Sequence, residues 1–148
     1  INLYCPPKMK KIVFILFFSL MIPTAFASSN YFEDGKKFFD LKKYEKSKLS
    51  LYQSIIFNPE DVDAYIYLAK IFNYEENDQE YEKYLNIALD LDPGNEEVLV
   101  MQIDLRIKQS DINQSNELIE KLKIVCQKHC SKLENLKSRV GDLSLEKN

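Results

Sequence analysis

The chain has no tryptophan, one histidine, three glycines, five prolines and three cysteines in 148 residues. So little glycine and proline argues against a turn-rich all-β fold and against long disordered stretches. A single histidine, His129, excludes chemistry built on histidine clusters, and no glycine-rich loop is present to cradle a phosphate. There is no basic surplus either. The formal charge is -3, which excludes a general nucleic-acid binder. The length suits one ordinary domain, or about three or four small repeats, and not a two-domain enzyme.

What is present begins at residues 9–27, MKKIVFILFFSLMIPTAFA. Met9, Lys10 and Lys11 form a basic start, and Ile12 to Ile22 is apolar except for Ser19. Ala25-Phe26-Ala27 then offers small residues where a signal peptidase reads them. This is the three-part layout of a secretory signal peptide. The apolar core is well short of the roughly 20 residues that span a bilayer. Cleavage after Ala27 is therefore expected, with export, in a bacterium, to the periplasm. Membrane contact is expected only through the signal peptide before cleavage. Residues 1–8 read as an over-extended start. Three lysines and no acid leave with residues 1–27, which takes the formal charge from -3 to -6.

The remaining chain repeats itself. Asn58-Pro59 and Asp92-Pro93 lie 34 residues apart. The same shift sets Tyr31 on Tyr65, Gly35 on Ala69, Phe38 on Phe72, Leu51 on Leu85 and Ser54 on Ala88. Aromatic falls on aromatic and small on small. Tyr65, Leu68, Ala69 and Phe72 recur at the spacing of one helical face. A polar stretch from Glu75 to Gln79 interrupts the pattern, and Tyr81, Tyr84, Leu85 and Ala88 resume it. Each unit thus reads as two helices that bury their apolar faces only by stacking on a neighbour.

Residues 65–93, YIYLAKIFNYEENDQEYEKYLNIALDLDP, and 31–59, YFEDGKKFFDLKKYEKSKLSLYQSIIFNP, resemble tetratricopeptide repeats (TPR). Tyr81 departs from the small residue expected there, and Asp34 stands where Leu is expected. The expected architecture is all-α: a short α-solenoid over residues 28–140. Its repeats lie at about 28–61, 62–95 and 96–129, with a capping helix at about 130–140, Gly141 as its terminator, and a tail at 141–148. The third repeat is degenerate, with Gln127 in place of the closing proline.

The resemblance implies a concave groove lined by the first helix of each repeat. Carried over residue by residue, it names Phe32, Lys36 and Phe39 in the first unit. It names Ile66, Lys70, Asn73 and Tyr74 in the second, and Val100, Asp104 and Ile107 in the third. Such a lining suits a peptide or protein partner more than a small substrate. Lys36 and Lys70, one repeat apart, are expected to hold a partner carboxylate.

Residues 126–130, CQKHC, allow three readings. A disulfide between Cys126 and Cys130 would replace the missing proline in fixing the turn, as an even pair in an oxidising compartment favours. A redox pair lacks the usual two-residue spacing. A metal site lacks a second ligand pair. Residues 62–95 hold eight acids against Lys70 and Lys83, read either as a solvated face or as a patch that steers basic partners. No enzyme activity, cofactor or metal is expected. The expected function is an exported module that binds a protein or peptide, with an envelope-complex assembly subunit as the alternative and a thiol redox protein behind both.

Overall fold

The computed structural model describes residues 30–146; the expected signal peptide and its cleavage site lie outside the described residues. Among the described residues seven α-helices follow one another: α1 Tyr31–Asp40, α2 Tyr44–Phe57, α3 Val62–Tyr74, α4 Asp78–Leu91, α5 Glu96–Lys108, α6 Ile112–Val125 and α7 Leu133–Glu146. A 3-10 turn, Cys130–Lys132, precedes α7. The described residues contain no strand.

The 34-residue period is also a backbone period. The second helices begin at Tyr44, Asp78 and Ile112 and end at Phe57, Leu91 and Val125. Each turn between paired helices places a non-glycine residue in the left-handed region: Lys42, Glu76 and Ser110, with φ of 56°, 57° and 57°. In every turn two hydrogen bonds close the first helix. The Lys43, Asn77 and Asp111 amides donate to the carbonyls of Phe38, Phe72 and Arg106 at 2.8–2.9 Å. The preceding amides donate to Phe39, Asn73 and Ile107, which is the Schellman arrangement. Asn30, Asp61, Asn77, Asn95 and Asp111 cap the helices that follow them through their side chains.

Within each hairpin the two helices pack face to face, and α7 packs on α6 and α5. One core gathers Leu51, Leu68, Ile71, Leu85 and Ala88, all fully buried. A second gathers Leu99, Ile103, Leu122, Leu133, Leu136 and Val140, so α7 covers the open end of the third hairpin. Leu89 packs against both cores. Tyr81 fits a position where the neighbouring repeats bury Ser47 and Ser115. Its ring extends out of the hairpin, and its hydroxyl donates to the Met101 carbonyl at 3.3 Å.

α7 differs from expectation at Gly141, where the helix continues to Glu146. Gly141 has no left-handed φ to end it, and Leu143 beyond it packs on the second core. Gly35 is the glycine that packing demands. A Cβ there would stand 2.7 Å from Leu51 Cδ2 and 2.8 Å from its Cγ, and Leu51 is fully buried and cannot yield. Ser47 Oγ adds a hydrogen bond to the Gly35 carbonyl at 2.7 Å.

These two glycines predict opposite outcomes. Gly35→Ala should lower stability by about 1–3 kcal/mol through overpacking, despite better helix propensity. Gly141→Ala meets nothing within 4 Å and should raise stability by about 0.5–1 kcal/mol. Thermal melts of the two variants beside the parent chain check both signs.

Candidate functional site

The first helices α1, α3 and α5 follow one another along one side of the stack, and α7 extends that side. A cavity of about 510 Å³ opens there. α3 supplies Lys70 and Asn73, and α5 supplies Glu97, Val100, Met101, Asp104, Leu105 and Lys108. Tyr81 enters from α4, Arg139 from α7, and His129 and Lys132 from the segment before α7.

The walls are charged and mostly paired. Lys70 Nζ lies 2.8 Å from Glu97 and 4.6 Å above the Tyr67 ring centre. Lys108 meets Asp78 at 2.7 Å, and Arg139 pairs with Asp104. Lys132 makes no ion pair among the described residues. Burial, and behind it the carboxylates of Asp104 and Asp78, push the Tyr81 hydroxyl up to about 12, so it stays protonated.

One carboxylate holds the wall beside α7 in place. Glu96, the first residue of α5, accepts hydrogen bonds from the backbone amides of Gln127 (2.7 Å), Lys128 (2.9 Å) and His129 (2.8 Å). The Nδ1 of His129 lies 3.2 Å from the same carboxylate. Partial desolvation would raise its pKa, but these amides outweigh that and hold it at about 2. Cys126 and Cys130 flank this loop with Cα atoms 5.3 Å apart, within disulfide range. Among the described residues no group of three or more His, Cys, Asp or Glu is placed to hold a metal.

The residues named from the resemblance divide between cavity and core. Lys70, Asn73, Val100 and Asp104 line the cavity. Ile66, 2% exposed, belongs to the first core, and Ile107 to the second. Phe32 and Phe39 pack edge-on against Tyr67, with centroids 5.7 and 5.1 Å away. Tyr74 is exposed, with its ring 4.6 Å from that of Tyr44. Lys36 is exposed on α1, outside the cavity, so the structure does not join it to Lys70 there. Sequence reasoning missed Tyr67, the centre of the aromatic band. It also missed His129, Lys132 and Arg139, which lie in the part of the chain without a repeat counterpart. Three of the eight acids of residues 62–95 bridge repeats: Glu75 with Lys48, Asp78 with Lys108 and Glu82 with Arg106. The Arg106 bond holds the Glu82 carboxyl below its usual value.

No family model and no curated protein matches the chain. Solved structures do. The first TPR domain of Spaghetti (RPAP3), bound to the HSP90 peptide SRMEEVD, superposes with a TM-score of 0.67 at 14% identity, covering 77% of this chain and 93% of that one. The TPR2B domain of yeast Sti1, in complex with pHsp70, gives 0.66 at 14% identity, covering 76% and 94%. The chain has the TPR fold.

The Glu96 clasp carries a pH prediction. Its folded pKa lies below the ordinary 4.5, so its stabilisation is complete above 4.5 and is lost as pH falls toward about 2. Glu96→Gln should lose that dependence. Between pH 4.5 and 2 the melting temperature of the parent chain should fall more steeply than the variant's, until the two converge. At neutral pH the Gln127, Lys128 and His129 amides should exchange faster in the variant.

Proposed function

We propose that this chain is an exported, non-enzymatic TPR module that binds an extended, acidic peptide segment of a partner protein in the cavity between α3, α5 and α7. The carrying observation is that cavity's cation set: Lys70, Lys108, Lys132 and Arg139 converge on it, and two carboxylates, Glu97 and Asp104, line it. The ion pairs already there are half-exposed and worth little, about 0–1 kcal/mol each, so a peptide carboxylate can replace them at small cost. Val100, Met101 and Leu105 add apolar area for the side chains between. The same fold presents an acidic peptide, SRMEEVD, in the RPAP3 domain, which supports the reading by analogy. The basic start, short apolar run and Ala25-Phe26-Ala27 support export, and a Cys126–Cys130 disulfide suits the oxidising compartment that export implies.

Selection of a random peptide display library on the chain tests the groove. Acidic sequences should be enriched. Lys70→Gln with Lys132→Gln should weaken the selected peptides by about 1–3 kcal/mol while leaving the melting temperature nearly unchanged. Enrichment without acidic residues, or unchanged affinity in the double variant, would overturn the proposal. Amino-terminal sequencing of the exported protein should begin at Ser28; a product that retains Ile12 to Ile22 would contradict cleavage.

A further inference from the structure

α2 buries small polar side chains and exposes several apolar ones. The side it turns to its neighbours carries Ser47, Ser50, Leu51 and Ser54, all buried. The opposite side carries Leu49 and Ile56; Tyr52 lies beside them with its hydroxyl 3.4 Å from that of Tyr84, and Phe57 at the helix end stacks one face on Tyr31. Leu49 is 62% exposed, and Ile56 and Phe57 are each 73% exposed. A helix that buries serines and exposes Leu, Ile and Phe has an outer surface suited to contact with something other than water.

Cations gather at the start of the same helix. Lys36, Lys37, Lys42, Lys43 and Lys46 make no ion pair among the described residues, whereas every lysine from Lys48 to Lys123 is paired with a carboxylate. Glu33 and Asp34 lie a turn before Lys36 and Lys37 on α1, Asp40 and Glu45 flank the turn, and Glu75 lines a pocket with Lys42, Lys43 and Lys46; Lys48 meets Glu45 at 2.7 Å and Glu75 at 2.8 Å. Lys43 also sits where stability favours another residue. It is the N-cap of α2 and makes no capping bond, while Asn77 and Asp111, its counterparts 34 and 68 residues on, both cap. A lysine kept at a capping position forgoes stability, as residues held for function do.

We propose that the outer face of α2, with the lysines at its start, docks on an anionic phospholipid surface. An apolar stripe with flanking lysines is the pattern of a helix lying in a membrane interface, where the lysine stems run along the apolar zone and the ammonium groups reach the headgroups. A partner helix fits this face less well, because helices dock into grooves, and Leu49 and Ile56 protrude. A second copy fits less well too, since four apolar side chains fall far short of the roughly 20–30 residues a side of a stable protein interface. The surface lies on a different helix from the peptide cavity and stands whether or not that reading holds. It gives the processed chain a membrane contact beyond the signal segment.

Co-sedimentation of residues 28–148, which contain every described helix and whose helicity and melting are checked first, tests the proposal on phosphatidylcholine vesicles with and without phosphatidylglycerol. Binding should require the anionic lipid and weaken with salt. Lys42→Gln with Lys43→Gln and Lys46→Gln should reduce affinity by roughly a hundredfold, at about fivefold per lysine. Ile56→Asp should reduce it at least about tenfold, while Ile124→Asp, at a still more exposed apolar position on α6, should not change it. In the full chain, anionic vesicles should protect Lys42, Lys43 and Lys46 from acylation and leave Lys121 and Lys123 reactive. Equal binding to neutral vesicles, no binding, variants that bind like the parent, or uniform lysine reactivity would each overturn it. Capture of an acidic helical peptide without vesicle binding would assign the face to a protein instead.

Discussion

In the first two hairpins the helices meet through a small residue on the first and a branched apolar residue on the second, and the third fills the same positions with Ile103 and Ile119. Gly35 faces Leu51 with no room for a methyl group. The same register sets Ala69 with Leu85 in the second hairpin, and all three of Leu51, Ala69 and Leu85 are fully buried. All three connecting turns have three residues, and the middle one takes the left-handed conformation at 42, 76 and 110. Each hairpin still has an apolar side exposed, and stacking removes it from water. α7 does the same for the last hairpin with Leu133, Leu136 and Val140.

The groove follows from this stacking and from one carboxylate. α5 begins with Glu96, whose side chain gathers the amides of the loop that leads into α7. The loop in turn sets His129 and Lys132 at the cavity, and α7 adds Arg139, tied to Asp104. The charged wall nearest the cap is therefore held from α5, by a group at its first turn that accepts backbone hydrogen bonds. Elsewhere ion pairs such as Lys48–Glu75 and Arg106–Glu82 bridge successive repeats, and the lysines before Lys48 are left for the outside.

The fold is legible in the sequence because a repeat presents the same steric problem several times. Tyr31 with Tyr65, Gly35 with Ala69 and Leu51 with Leu85 report one packing geometry twice, which a single helix pair would not reveal. Less was legible where repetition stops. Gly141 looks like a terminator in sequence, yet it lies inside α7 because Leu143 beyond it finds the core. The resemblance names first-helix residues alone, so Lys70, Asn73, Val100 and Asp104 of its set line the cavity, while Arg139, which α7 brings to the same cavity, has no repeat counterpart to suggest it. Ile66 and Ile107 turn into the cores, a choice made by the neighbouring hairpin and invisible in one helix's own pattern. The apolar outer face of α2 was masked in the alignment by Ser54 matching Ala88, small on small, while Leu49 and Ile56 stood outside the compared positions.

The central claim is that a 34-residue register of close helix contacts defines the structure, and Ala69→Glu tests it most directly. Ala69 is fully buried in the joint of the second hairpin, between the two repeats it must support. A glutamate there buries a charge with no partner and should cost several kcal/mol, lowering the far-ultraviolet melting temperature of the whole chain in one transition. A variant that melts like the parent would place residue 69 outside the joint and contradict the register.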